Sequence, residues 1–482
     1  MFNIHLRDLD LEKYRYKYLA LYHALREGIV TGSLPHGTKL PASRELAAGY
    51  EISRGVVSQV YEMLMAEGYL SAEVGRGTHV SFQRDSAEGE ASERAPILLS
   101  KWGQRVTGLP LYDGIPTQTY RYDYTIGQPL ADAFPFAEWN RAMYAAIRDV
   151  SAEEGETKYE PQGYRPLREA IARYLRKARG MVVQPEDIVI VNGSMQAIAL
   201  VAQLLIDPGD SVVLEDPAYG GIREAITAVG GQPVPSPVDG QGLVVRDWEA
   251  RLLFVTPGRQ FPTGTVLSLE RRQEILRWAT ARHAVIVEDD YDSEFRWRGR
   301  PIEPLKVLDR HDRVVYIGTF SKTMYADLRI GYVVLPSWLR EPFCKARQLY
   351  EPRPTALVQQ HALAAFMNNG HYERHLRRMK RVYARKHKIL WTALTEEFGA
   401  LFDWVESDAG LHIFGRWRRS LEEYQTFREA CLAAGVRFPD ATRYYATPHQ
   451  VCAACFGFQR LGEEQLVEGV EVIAQVWAQL QR

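Results

Sequence analysis

A lysine stands in "GTFSKTMYADLRIGY" (Gly318–Tyr332), directly after the strand-like run "RVVYI", with Thr319 three residues before it and Arg329 seven after. The primary amine of Lys322 can form a Schiff base with an aldehyde, which makes it a candidate covalent anchor. A hydroxyl and a guanidinium on either side suit a phosphate, as do the backbone N–H groups at a helix N-terminus. "NGSMQA" carries Ser194, Met195 and Gln196 into such a helix start. Asp289 ends the apolar run "HAVIVEDD" and could keep a heteroaromatic nitrogen protonated. Tyr291, two residues on, could donate to a phenolic oxygen. Tyr219 in "EDPAYGG" offers an aromatic face. Each residue alone is also what a solvated strand end presents. As a set, an aldehyde anchor, a phosphate cradle, a carboxylate for a ring nitrogen and a stacking face describe a site for pyridoxal 5′-phosphate (PLP).

Such a set needs elements to position it. "DIVIVNGS", "DSVVLEDPAY", "HAVIVEDDY" and "RVVYIGTFSK" are short runs rich in β-branched residues, each ending in polar ones, with amphipathic stretches such as "MQAIALVAQLLI" and "LERRQEILRWATARH" between them. This alternation predicts a mainly parallel sheet covered by helices. Ligands of such sheets lie beyond the carboxyl ends of the strands, so four strand ends point chemistry into one crevice.

The front of the chain reads differently. "LYHALREGIVTGSL" (Leu21–Leu34) predicts an amphipathic helix stopped by Gly32. A second helix begins near Ser43, and a turn through Gly49–Ile52 leads to a third with Ser53 as its N-cap. Val57, Val60 and Leu64 recur at helical spacing and face a core, which leaves Arg54, Gly55 and Ser58 on the other side. "SAEVGRGTHV" predicts a two-stranded wing with its tip at Gly75–Gly77. Helix, turn, recognition helix and wing is a geometry that reads a DNA major groove. Residues 1–82 hold nine Lys/Arg and nine Asp/Glu. A single copy therefore binds DNA weakly, and two copies raise the effective concentration.

The whole chain has 482 residues, 46% hydrophobic and 25% charged, with net charge −1 and 4 cysteines. That is the composition of a soluble multidomain protein without a disulfide framework. The charged N-terminus has no apolar core and reads as no signal peptide; no apolar run is long enough for a membrane span, and a cytoplasmic setting follows. "QRDSAEGEASERAP" has a linker composition, and the expected division is a DNA-binding domain at 1–82, a linker at 83–117 and a large domain at 118–482. The Cys452/Cys455 pair lacks the second pair of ligands that zinc normally takes and the thioredoxin-like context of a redox pair, so packed thiols in a strand are expected. The basic run "RHLRRMKRVYARKHK" (Arg374–Lys388) reads as a solvated helix face before a second DNA contact.

Residues 19–82, through "GTKLPASRELA", "SRGVVSQVYEMLMAEGYL" and "GRGTHV", resemble the winged helix-turn-helix of GntR-type regulators. The resemblance implies DNA contacts from Arg44 and Arg54, with Ser53, Ser58, Gly75 and Arg76 in support. Residues 120–480 resemble the fold-type-I aminotransferases, an α/β fold with a smaller C-terminal α+β subdomain. That resemblance implies PLP on Lys322, with Ser194, Met195, Gln196, Tyr219, Asp289, Tyr291, Thr319 and Arg329 around it. In "YEPQGYRPLREAIARYL" it implies that Tyr159 reaches the phosphate of the neighbouring subunit, and hence a homodimer. The two together resemble the MocR subfamily of regulators, which "TPGRQFPTG" supports. Phe261 stands where the catalytic enzymes carry Asn, and Arg259-Gln260 where the subfamily usually has His-Gln. Cys455 stands where an arginine usually clamps the substrate carboxylate, with Arg460 five residues on as a candidate replacement.

The expected function is a PLP-dependent transcriptional regulator. Its front module binds a double-stranded operator; its large domain dimerises and senses a small molecule, either PLP itself or an amine or amino-acid-like effector. At most residual transaminase activity is expected. An active aminotransferase with a DNA-binding appendage is the rival reading, and a scaffold without cofactor the remainder.

Overall fold

The structure, a computed structural model, describes residues 14–73, 75–83, 98–110, 118–130, 133–152, 160–446 and 451–482; Tyr159 and all but Gln83 of the stretch with linker composition lie outside them. The chain divides into two compact units between Leu98 and Leu99.

In the first unit, helix Lys17–Val30 packs on the pair Ser43–Gly49 and Arg54–Ala66, followed by the antiparallel strands Leu70–Glu73 and Gly77–Val80. The apolar spacing explains the packing: Leu21, Leu25 and Ile29 meet Val57, Val60 and Leu64 in one core closed by Leu70 and Val80. Gly32, at φ 84°, ends the first helix in a backbone conformation that favours glycine. Ser53 Oγ accepts from Val56 N at 3.2 Å and fixes the start of the third helix. A cap of this kind stabilises a helix by about 1 kcal/mol.

The second unit is built on an eight-stranded sheet. Its central strands, Val314–Thr319, Val285–Asp290, Leu252–Val255, Ser211–Asp216 and Gln232–Asp239, are mutually parallel, as the alternation of runs predicts. At one side Gly331–Val334 runs antiparallel between Val314–Thr319 and Ile188–Val191. This strand follows the lysine loop directly, so the chain turns back with no crossover helix. Both sheet faces are buried: Val315, Ile317 and Val333 pack under helices Ser194–Leu205 and Arg340–Tyr350, and Tyr316, Tyr332 and Val334 pack on the other side. Double-sided burial accounts for the unbroken apolar runs.

A smaller lobe adds the antiparallel strands Phe402–Val405, His412–Trp417 and Ala453–Gly457, with helices His371–Phe398, Leu421–Ala433 and Glu463–Leu480. The basic run lies on helix His371–Phe398. Tyr372, His375, Leu376, Met379 and Tyr383 bury one side of it, and Lys386 donates to the carbonyls of Gln459 and Leu461. Part of the segment read as linker is helical. Lys101–Thr107 forms a helix of the large unit, and Arg105 Nε donates to Ala228 O at 2.9 Å. The sequence signal for this helix is short, and its partner is 123 residues away.

Candidate functional site: a lysine crevice at the strand ends

Strand register brings the separate motifs together. Thr319 pairs with Gly331, and Gly331 pairs with Val191, so the end of "DIVIVNGS" lies one strand away from the lysine loop. Ile317 pairs with Asp289, which sets that carboxylate beside the same strand. Lys322 Nζ, in a largely desolvated position, donates to Gly127 O at 3.0 Å. Burial lowers its pKa, against the opposing fields of Asp292 and Asp289. A lysine held this way gives up its proton more readily, which a nucleophilic amine requires.

Asp289 is buried, and its Oδ1 has no hydrogen-bond partner among the described residues. Burial and the neighbouring Asp290 push its pKa up to about 7. A desolvated carboxylate oxygen without a donor is costly unless something brings one. A protonated ring nitrogen is such a donor.

Opposite stands an anion cradle. Helix Ser194–Leu205 starts from Gly193, at φ 84°, without a side-chain cap, so its first N–H groups remain available. Arg329, itself left-handed at φ 49°, brings its guanidinium against Gly193 so closely that a Cβ there would lie 2.6 Å from Nη2. Thr319 Oγ1 accepts from Ser321 N at 3.2 Å and keeps its own O–H to donate. Ser321 Oγ is buried without a hydrogen-bond partner among the described residues. Sequence reasoning misses Ser321; its place immediately before the lysine is the available signal. Met195 is half-buried beside Tyr219. The Gln196 side chain is committed elsewhere: Nε2 donates to Glu351 Oε1 at 2.6 Å and Oε1 accepts from Asn192 N at 2.8 Å. That leaves its backbone N–H as the group it can offer an anion. Glu351 also accepts from Asn192 Nδ2 and from Arg347, which fastens the loop from behind.

An aromatic wall closes the crevice. Phe261 meets the edges of Tyr219, Tyr291 and Tyr444 at centroid distances of 5.9, 5.7 and 4.9 Å. Arg259 lies behind it, fully enclosed. It donates through Nη1 to Tyr291 OH (2.9 Å) and Asp292 (3.0 Å), through Nε to Ala409 O (3.1 Å), and through Nη2 to His412 O (2.9 Å). In the sequence Arg259 is no more than a departure within a motif; the structure makes it a strut under Tyr291. Cys455 is buried in the small lobe's apolar cluster with Tyr444, against which Ile126 and Phe261 pack. Arg460 pairs with Asp123 at 3.3 Å instead of standing beside Cys455.

On the first unit, Arg44, Arg54 and Gly55 are exposed and Ser58 is half-buried, all on or beside the face turned from the core. The Ser53 hydroxyl is spent on its cap. Gly75 and Gly77, at φ 86° and 98°, make the turn of the wing, and Arg76 pairs with Glu73 at 3.0 Å in full exposure. An ion pair so exposed is worth well under about 1 kcal/mol and costs little to exchange for a phosphate.

Residues 17–80 match the family model "Bacterial regulatory proteins, gntR family", and residues 125–452 match "Aminotransferase class I and II". Over 98% of this chain and 96% of its own length, the probable rhizopine catabolism regulatory protein MocR of Rhizobium meliloti is 35% identical. The pyridoxine biosynthesis transcriptional regulator PdxR of Corynebacterium glutamicum is 31% identical over 78% of each chain. Among solved structures, LysN, an α-aminoadipate aminotransferase of Thermus thermophilus complexed with N-(5′-phosphopyridoxyl)-L-leucine, is similar at 26% identity and TM-score 0.67, covering 74% of this chain and 92% of that one. A kynurenine aminotransferase of Pyrococcus horikoshii shares the fold at 24% identity and TM-score 0.69, over 83% and 99%. A winged helix-turn-helix followed by an aminotransferase-like domain, matched end to end by a MocR regulator, places this chain in the MocR subfamily of GntR-type transcriptional regulators.

Proposed function

We propose that the chain is a cytoplasmic, homodimeric regulator whose large unit holds PLP on Lys322 and whose front unit binds a double-stranded operator according to the state of that site. The observation that carries the reading is the buried Asp289 Oδ1, without a hydrogen-bond partner among the described residues and within the field of Lys322, in a unit where Arg329 lies against the start of helix Ser194–Leu205. That donor set fits PLP. Lys322 would hold its aldehyde carbon, Asp289 its ring nitrogen and Tyr219 its face. The Ser194–Gln196 backbone, Thr319, Ser321 and Arg329 would hold its phosphate, with Tyr159 of the partner subunit adding a hydroxyl. When bound, PLP supplies an electrophilic carbon that accepts amines. Tyr291, braced by Arg259, would hold the ring edge, and Phe261, whose side chain has no hydrogen-bonding group, would offer the ring oxygen nothing. Arg54 and Arg44 would carry the DNA contacts, with Ser53, Ser58, Gly75 and Arg76 in support.

The effector is a small molecule that reaches Lys322, either PLP itself or an amine or amino-acid-like ligand. The test is operator titration by gel shift with PLP-loaded, PLP-stripped and amine-treated protein. A change of affinity with the state of the site is expected. Identical operator affinity in all three states would remove the sensory role.

A further inference from the structure

We infer that the effector face of the Lys322 crevice selects a primary amine with an uncharged, apolar substituent and rejects the corresponding amino acid. This rests on the PLP reading above and deepens it by naming the ligand class. The cation Arg329 stands against Gly193 on the phosphate side. The wall across from it differs in kind. Phe261 is half-buried and edged by tyrosine rings, and Cys455 is fully buried behind it in the same apolar cluster. Burial pushes the Cys455 thiol up to about 12, so it is neutral and offers a carboxylate no charge.

The nearby guanidiniums have other work. Arg259 has its charge matched by Asp292 and hydrogen bonds to Tyr291, Ala409 and His412. Arg460 is paired with Asp123. Arg443, whose field reaches Cys455, is exposed and donates to Tyr444 OH at 3.0 Å, which makes it the rival reader of a carboxylate. A carboxylate set against this wall loses hydration, and among the described residues the charges beside it lie at the rim, where Arg443 is exposed and Arg416 stacks over Phe414. An aryl or alkyl group there gains contact with ring edges. The exchange at Lys322 is balanced: the carbon–nitrogen double bond to Nζ is replaced by one to the incoming amine, and the two amine protons end on Nζ. No oxidant or reductant is involved.

The experiment compares phenethylamine with L-phenylalanine, which differ by the carboxylate alone. Absorbance titrations of the PLP-loaded full-length chain, corrected for the free-amine fraction and for the same reaction with free PLP, give the two half-saturation concentrations. Phenethylamine is expected to half-saturate at a concentration at least ten-fold lower, and operator affinity, measured in parallel, to respond to it at the same concentrations. Cys455→Arg should reverse the order; because that substitution can unsettle the lobe, Arg443→Ala is measured too and should leave the order unchanged. Equal or tighter binding of L-phenylalanine, or loss of amino-acid binding on Arg443→Ala, would overturn the inference. A starting protein with no visible absorbance would instead sink the PLP reading itself, so the two failures are distinct.

Discussion

Asp289→Asn should move stability and cofactor affinity in opposite directions. In the cofactor-free protein the Asp289 carboxylate is desolvated and its Oδ1 has no partner among the described residues. Its pKa rises from an ordinary 3.8 to about 7. An acid whose folded-state pKa is raised binds protons more readily folded than unfolded. Its contribution is therefore harmless below about pH 4, turns destabilising as pH climbs, and is complete above about pH 7. A rise of that size corresponds to roughly 4 kcal/mol at most. Asparagine removes that cost but buries an amide with incomplete partners, which costs about 1–3 kcal/mol. The stripped variant should then be more stable than the stripped parent by about 1–3 kcal/mol at pH 8, and no more stable near pH 4. PLP affinity should fall at the same time, because an amide does not keep a ring nitrogen protonated. Urea denaturation of both stripped proteins at the two pH values, with a PLP titration of each, tests both halves. A variant less stable than the parent at pH 8, or one that binds PLP as well as the parent, would refute the assignment of Asp289.

Lys322→Ala should abolish the visible absorbance of the PLP-loaded protein while far-ultraviolet circular dichroism stays unchanged; a surviving band would place the Schiff base on another lysine. Arg54→Ala and Arg44→Ala should each weaken operator binding with PLP binding intact, Arg54 by about 1–3 kcal/mol if it reads a base edge. A gel-shift titration that shows no loss for either would displace the recognition helix from Arg54–Ala66. Common amino acids should convert bound PLP to pyridoxamine phosphate negligibly, since Phe261 and Cys455 remove groups that position a substrate, and positioning of that kind supplies on the order of 7–11 kcal/mol in favourable cases. Single-turnover absorbance followed by cofactor analysis checks this, and rapid, complete conversion by any of them would favour the enzyme reading.

Local pattern is enough for the elements that position the lysine. The runs ending at Ser194, Asp289 and Lys322 are all strands or strand exits, and Val57, Val60 and Leu64 pack as their spacing requires. Apolar periodicity is a local property, and burial follows it directly. What stays hidden depends on partners far along the chain. The Gln196 side chain is held by Glu351, 155 residues on. Arg259 is claimed by carbonyls 150 and 153 residues away, which turns a motif variant into a brace. Arg460 can be weighed as a carboxylate clamp only while its pairing with Asp123, 337 residues back, is unknown. The antiparallel strand Gly331–Val334 escapes because its short apolar run carries no direction.

The Arg259 strut also constrains how this chain can change over generations. Gly410, at φ 99°, leaves no room for even a methyl group, because a Cβ there would overlap the guanidinium. A larger residue at that position is compatible only with a shorter side chain at position 259. The shorter side chain would in turn leave Asp292 buried without its counter-charge and Tyr291 without its brace. The two positions are thus locked as a pair. At φ 99° the backbone favours glycine whatever stands at position 259, and the guanidinium fills the space a side chain would need, so Gly410 is held by two separate constraints and a change at position 259 lifts only one of them.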